Sequence, residues 1–291
     1  MTSNRLKAIF VALYPPLILV IGLGAIAGLM LSDAGIGWTG ALLTVLPFIV
    51  LFLRATLNKD MPRTSRSLPV ASMLTAAGGV LAAYGLWRDG MPAALPAAAA
   101  TAGVAGFFLY VHWYSSFGRH LSDRLAVGRT MPDFHASDMD GRPVRPSDLH
   151  GRPALFMFYR GNWCPFCMAQ VKEITGRYRE LADLGVELVL ISPQPTELTH
   201  RVAEMYGVPC RFWVDDDLSA ARELGIIHDD GVPPGGLRAR YGPDTVLPTV
   251  VIVDEAGRIL FTDQTDNYRV RPDPDTFLRV LQSRGYRGGT G

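Results

Sequence analysis

The stretch Leu155-Phe156-Met157-Phe158-Tyr159-Arg160-Gly161-Asn162-Trp163-Cys164-Pro165-Phe166-Cys167 decides how this chain is read. Its apolar opening predicts a buried strand, and its two thiols, three residues apart, fall where that strand gives way to a helix. A thiol at a helix start feels the positive end of the helix dipole, which favours the reactive thiolate. Spacing of this kind also lets the pair close a reversible disulfide. An aromatic stands before the first cysteine and a proline between the two, and Leu247-Pro248-Thr249 opens a later apolar strand. Together these features point to thiol–disulfide or peroxide chemistry.

Working outward, Pro132 to Val144 reads as a hairpin with Asp140-Gly141 at its turn. A strand over 153–159 is followed by a helix from Cys164 to about Leu184, where Val171, Ile174, Tyr178 and Leu181 mark one buried face. Val186 to Ser192 is a near-continuous apolar strand, of the kind covered on both sides. A helix over 196–206, a strand from Arg211 to Val214 and a helix over 217–224 follow, with Asp215 to Asp217 as the cap. Gly231, Pro233, Pro234, Gly235 and Gly236 make 229–244 a loop. Val250–Val253 and Arg258–Phe261 are strands around Asp254-Glu255-Ala256-Gly257, and a last helix spans 274–283. This order predicts an α/β domain with a mixed central sheet over 131–285 and a flexible tail over 286–291.

The N-terminal part is different in kind. The chain carries 28 basic and 27 acidic side chains, yet only ten of them lie in residues 1–118, which contain no glutamate. Residues 8–32, 34–53, 67–87 and 90–118 carry no formal charge. Each is long enough for the roughly 20 residues that cross a hydrocarbon core as helix. The expectation is an all-α bundle of four transmembrane helices, at about 8–31, 36–53, 68–87 and 93–114, joined by a short amphipathic linker over 119–130. The first run is long, contains Pro15-Pro16 and is closely followed by a second, which does not fit a cleaved signal peptide. Arg5, Lys7, Arg54, Lys59, Arg63 and Arg66 lie on one side with Arg119, Arg124 and Arg129, while the opposite loops offer only Arg88. The positive-inside rule then makes this a multi-pass cell-membrane protein with its C-terminal domain in the cytoplasm.

A formal net charge of +1, with no basic run interleaved with aromatics, excludes nucleic acid as an expected partner. Three cysteines, Cys164, Cys167 and Cys210, cannot make a disulfide framework in a chain of this length. The six histidines show no ligand spacing to the pair, so no metal is expected. From local chemistry, Cys164 near the first helical turn is the nucleophile and Cys167, a turn further in, the resolver with the higher pKa. Pro165 suits that turn because its missing N–H loses nothing there. Trp163 is read as shielding the pair and offering a docking surface, and Arg160 as a cation at the strand end that either lowers a thiolate pKa or is simply solvated. Cys210 is read as a small core residue.

Residues 128–283 resemble the alkyl hydroperoxide reductase/thiol-specific antioxidant branch of the thioredoxin-like superfamily. More narrowly, they are similar to its peroxiredoxin-like members with an arginine–glycine–x–tryptophan–cysteine–proline–x–cysteine signature. Pro132-Asp133-Phe134, Arg160 to Cys167, Leu190-Ile191-Ser192-Pro193, Asp215-Asp216-Asp217, Leu247-Pro248-Thr249, Ile252-Val253-Asp254 and Gly257 carry the resemblance, in the family's order. It implies a thioredoxin-like fold with a cis Pro248 against the cysteine pair, and Pro248 with Thr249 lining the groove where a substrate cysteine or peroxide docks. Aligned with thioredoxins, Cys164 attacks; aligned with peroxiredoxins, Cys167 takes the peroxidatic position. Two departures stand out. The arginine that peroxiredoxins bring from a later strand is replaced by Pro248, and the buried acid of thioredoxin by Phe158.

The expected function is a membrane-anchored thiol–disulfide oxidoreductase of antioxidant, peroxiredoxin-like character that cycles a Cys164–Cys167 disulfide. It would need no bound cofactor and would draw electrons from a cellular thiol reductant of thioredoxin or glutathione type. Its substrate would be a protein disulfide. A thiol peroxidase acting on hydrogen or alkyl peroxides is the close alternative, and a non-enzymatic membrane redox sensor is the alternative of another class. A quinone or electron-transfer role for the helices finds no intramembrane charge pair or histidine cluster to support it. Tyr268-Arg269-Val270-Arg271 has no assigned chemistry at this point.

Overall fold

The computed structural model describes residues 2–58 and 65–287, which divide into two compact units. The break falls between Ser116 and Phe117, and the few residues before Leu6 group with the second unit. Lys59 and Arg63, which entered the charge argument, lie outside the described residues, as does the tail beyond 287.

The first unit is built from four helices: α1 (Ser3–Leu31), α2 (Gly35–Leu53), α3 (Pro69–Asp89) and α4 (Ala94–Phe108). A 3-10 turn precedes α4, and the chain continues as a π-helical stretch to Tyr114. All four are long and apolar enough to cross a membrane, counting the last from Met91 to Tyr114. Their burial pattern inverts that of a water-soluble bundle. Val20 and Leu23 of α1 are 67% and 68% exposed, and Val80 of α3 is 71% exposed. Small residues meet inside: a Cβ on Gly40 would stand 2.6 Å from the Gly78 carbonyl oxygen, so α2 and α3 touch backbone to backbone. Gly85 approaches Gly37 in the same way, and Gly103 accommodates the side chain of buried Thr44. Near one end, Tyr14 packs edge-on against Phe48 at 4.7 Å and over Gly106.

The second unit contains a seven-stranded sheet and its flanking helices. Its elements are β1 (Ala136–Asp138), β2 (Pro143–Val144), β3 (Ala154–Phe158), α5 (Pro165–Gly176), α6 (Tyr178–Asp183), β4 (Glu187–Ser192), α7 (Thr196–Tyr206), β5 (Arg211–Val214) and α8 (Ser219–Leu224). Then come β6 (Ile227–His228), α9 (Gly236–Tyr241), β7 (Thr245–Val246), β8 (Thr249–Val253), β9 (Ile259–Asp263) and α10 (Pro274–Ser283). The strand order is β2-β1-β5-β4-β3-β8-β9, with β6 and β7 as a separate pair. β3, β4 and β5 run parallel and β8 antiparallel to β3, giving the mixed sheet of a thioredoxin-like fold. β3 and β8 are buried along their whole length, as continuous apolar runs covered on both faces should be. Phe134 and Trp213 pack against Phe156 at one face of β3.

Three local readings need correction. The helix expected from Cys164 to Leu184 is two helices: Arg177 leaves helical geometry (φ −104°, ψ 14°) and is held by Glu180 and Asp275. The apolar spacing continues across the break because both pieces pack one face inward, so periodicity alone cannot reveal it. The loop over 229–244 contains α9, a six-residue helix with no buried side chain and hence no apolar face to betray it. No cis peptide bond occurs among the described residues, so Leu247–Pro248 is trans, the lower-energy form of an X–Pro bond.

The segment after Phe117 is tied along the sheet edge. Gly128 N–H donates to Ile259 C=O, Ile259 N–H to Arg129 C=O, and Met131 N–H to Gly257 C=O. Asp215 accepts from the amides of Ala220 and Ala221 at 2.9 Å each, which caps α8 as the sequence suggests. Tyr286 is anchored through its hydroxyl to Glu255 at 2.9 Å.

Candidate active site

β3 ends at Phe158, and the next six residues turn the chain into α5. Gly161 makes the turn possible: its φ is +135°, and a Cβ there would lie 2.8 Å from the indole nitrogen of Trp163. Asn162 N–H donates to Gln194 Oε1 at 2.8 Å, and the Gln194 amide donates in turn to Tyr159 Oη and Thr199 Oγ1. Cys164 N–H closes the turn on Gly161 C=O at 3.2 Å.

Cys164 is the N-cap of α5, with extended angles (φ −95°, ψ 109°), and Pro165 occupies the first helical position. Of the first-turn amides, that of Cys167 favours the charged form of its sulfur. Cys167 lies one turn further in. Both are free thiols, 4% and 1% exposed. The Cys167 thiol donates to the Cys164 sulfur, and this is the main reason the Cys164 thiol is pulled down to about 6. Burial opposes the shift, while the positive charges of Arg160 and Arg271 assist it. Cys167 moves the other way: burial and the neighbouring Cys164 charge push it well above the ordinary thiol value. The two sulfurs thus divide into a thiolate and a proton-holding partner.

Arg160, expected as a cation at the strand end, is buried rather than solvated. Its guanidinium stacks on Trp163 at 4.6 Å and donates to Gly231 C=O. Arg271 is the residue that sequence reasoning missed. It is 7% exposed, its charge acts on both thiols, and its Nε and Nη2 have no hydrogen-bond partner. Burial lowers its pKa, a shift that Cys167 and Asp263 oppose. Neighbouring Tyr268 packs edge-on against Phe166 of α5 at 4.9 Å, which brings the Tyr268-Arg271 stretch to the thiols. The only sequence signal was two arginines within an otherwise unassigned motif, and nothing in it distinguishes a buried arginine from a surface one.

Thr249 pairs with Phe158 across β3 and β8, so Pro248 and Thr249 sit beside the strand end that leads into the thiol turn. Arg119 fastens them: it donates to Pro248 C=O at 3.0 Å and to Thr249 Oγ1 at 3.2 Å. Burial pushes Arg119 down to about 10, against the opposing pull of Asp263 and Asp266. Cys210 stands apart, half-buried at the start of β5, with its thiol pushed up by burial to about 12. No group of histidine, cysteine or carboxylate side chains able to hold a metal occurs among the described residues.

A low-pKa thiol paired with a high-pKa thiol, at the strand-to-helix turn of a thioredoxin-like sheet, defines a thiol-dependent oxidoreductase. Comparison with known proteins gives the family. The AhpC/TSA family model matches residues 127–262. Chloroplastic peroxiredoxin Q of Sedum lineare is 30% identical over 163 residues, covering 55% of this chain and 80% of that protein. The thiol-disulfide oxidoreductase ResA of Geobacillus thermodenitrificans (strain NG80-2) is 25% identical over 155 residues, covering 53% of this chain and 75% of ResA. Among solved structures, the peroxidoxin BcpB from Mycobacterium tuberculosis aligns with 22% identity and a TM-score of 0.45, covering 56% of this chain and 98% of that one. The chain belongs to the AhpC/TSA family.

Proposed function

We propose that this protein is a membrane-anchored thiol–disulfide oxidoreductase in which Cys164 attacks and Cys167 resolves. The observation that carries the reading is the division of the pair: Cys164 at about 6 on the helix cap, Cys167 raised one turn inside. The Cys164 thiolate attacks one sulfur of a substrate disulfide, forming a mixed disulfide and expelling the other substrate sulfur as thiolate. Cys167 then gives up its proton and attacks the Cys164 sulfur. This releases the second substrate thiolate and leaves a Cys164–Cys167 disulfide. The substrate gains two electrons and the pair loses two. A cellular thiol reductant of thioredoxin or glutathione type returns them by the reverse exchange. Pro248 and Thr249, beside the strand end, line the groove for the substrate sulfur in this reading, and Trp163 provides apolar surface next to it.

A second reading is favoured by Arg271. A buried guanidinium with two unpartnered nitrogens near the thiols suits an oxygen-bearing intermediate. In a thiol peroxidase the Cys164 thiolate attacks the peroxide oxygen and expels hydroxide or alkoxide, giving a sulfenic acid. Cys167 condenses with it, releasing water and forming the same disulfide. Stopped-flow oxidation of the reduced protein by hydrogen peroxide separates the two. A rate no faster than that of free cysteine removes the peroxidase, and turnover of a protein disulfide with added reductant supports the exchange enzyme.

The anchor in this account is the four-helix unit. Arg5, Lys7, Arg54, Arg66 and the arginines after the fourth helix support a cytoplasmic redox unit by the positive-inside rule.

A further inference from the structure

Between β6 and β7 the chain makes an excursion that is fastened to the thiol turn at three points. Arg160 donates to Gly231 C=O, Thr245 Oγ1 donates to Arg160 C=O at 3.0 Å, and Tyr241 Oη donates to Asn162 Oδ1 at 2.6 Å. The first and second involve backbone at the base of the excursion, where Gly231, Val232 and Thr245 are buried. The third involves α9, and α9 is held in a different way. None of its side chains is buried. Glycines with left-handed geometry bracket it, Gly235 at φ +94° and Gly242 at φ +78°. Apart from the Tyr241 hydroxyl, its side-chain anchors are Arg238 to Val232 C=O at 2.9 Å and to Asp230 Oδ1 at 3.2 Å. The Tyr241 ring stands 6.3 Å from Trp163, the residue just before the nucleophile.

A surface helix with no buried side chain, two glycine hinges and one hydrogen bond to the active-site turn belongs to the low-stability end of a structure, where local opening is inexpensive. Cys164, by contrast, is only 4% exposed. Exchange with a protein disulfide requires three sulfurs in line at that atom, and so requires the approach of a polypeptide. A small reagent needs no such clearance.

We propose that α9 is a cover on the thiol site and that Tyr241, through its bond to Asn162, determines substrate size. With the bond made, the site admits molecules of hydroperoxide size; with it broken, α9 swings about Gly235 and Gly242 and admits a polypeptide thiol or disulfide. The proposal rests on Cys164 as the reacting sulfur and does not depend on which substrate is physiological.

The test uses the full chain in detergent micelles, reduced, with Cys210→Ser as background so that labelling reports the pair. Alkylation of Cys164 by iodoacetamide and by a maleimide carrying a polyethylene glycol chain is compared for this background, Tyr241→Phe and Arg238→Ala. Loss of the Tyr241 bond, or of the Arg238 anchors, should raise the rate with the bulky reagent roughly three- to tenfold while the iodoacetamide rate stays within about twofold. Equal changes with both reagents, or no change with either in folded variants, overturn the proposal. If neither variant folds, hydrogen exchange of the unsubstituted chain decides. Amides of 236–241 should exchange far faster than those of β3, and equal protection overturns it. Because alkylation reads access and not turnover, its failure is distinct from a failure of the enzyme to reduce disulfides.

Discussion

The Cys167 thiol donates a hydrogen bond to the Cys164 sulfur across the first turn of α5, and this one contact is the largest cause of the low pKa at Cys164. The consequence for pH is direct. Cys164 should be alkylated at half its maximal rate near pH 6, the value to which its thiol is drawn, and Cys167→Ala should move that midpoint upward by removing the donor. The effect on stability has a definite sign. The folded-state pKa lies below the ordinary value of 9.0, so the stabilisation is complete above that value and is lost as pH falls through about 6. Chemical denaturation of the reduced protein between pH 6 and 9 should therefore show stability rising with pH, a trend that Cys164→Ser abolishes.

Arg271 sets activity against stability. Its buried guanidinium carries two unpartnered nitrogens, which is costly, yet its charge favours the thiolate. Arg271→Met should leave the melting temperature unchanged or raise it, while the alkylation midpoint of Cys164 moves up. At pH 6.5 the alkylation rate should fall several-fold, since one pKa unit corresponds to about 1.4 kcal/mol. A fall in stability without a change in midpoint would show that Arg271 acts by packing alone.

What the sequence could and could not tell follows from these two groups. The strand into Cys164, the proline at the first helical position and the order of strands and helices are written in local chemistry, and they could be read directly. The break at Arg177 could not, because a helix interruption that keeps its apolar face leaves the spacing intact. α9 escaped notice for the opposite reason: it packs no apolar face at all. Arg271 and Arg119 reach the site from distant parts of the chain, and only the fold places them there. Pro248 was expected to be cis from a resemblance, and it is trans.

In the helical unit, Gly78 cannot accept a side chain without moving the backbone of α2. A Cβ would lie 2.7 Å from Gly40 C=O and 2.9 Å from Thr44 N. Gly78→Val should force α2 and α3 apart at a cost of roughly 1–3 kcal/mol, read as earlier unfolding in a detergent-denaturation series. The Cys164 alkylation midpoint should not change.

Asp215 offers a control far from thiol chemistry. It caps α8 through two amides from a buried position, and burial raises its pKa to about 6. Asp215→Ala should cost about 1–2 kcal/mol in a denaturant titration, as lost caps do. Asp215→Asn, which keeps an acceptor oxygen, should recover most of it.

Sidedness can be measured separately from chemistry. Reporter fusions after residues 35, 90 and 291 should place 291 in the cytoplasm and 35 and 90 on the opposite side. A reporter at 291 active only outside the cytoplasm would reverse the orientation.

Peptide mass mapping of the full chain, reduced and then exposed to one equivalent of a mild disulfide oxidant, bears most directly on the role of the pair. A bridge between residues 164 and 167, a loss of two hydrogens and full recovery with a thiol reductant are the predicted outcome. Oxidation that leaves both thiols alkylatable, or that joins either one to Cys210 instead, would contradict the account.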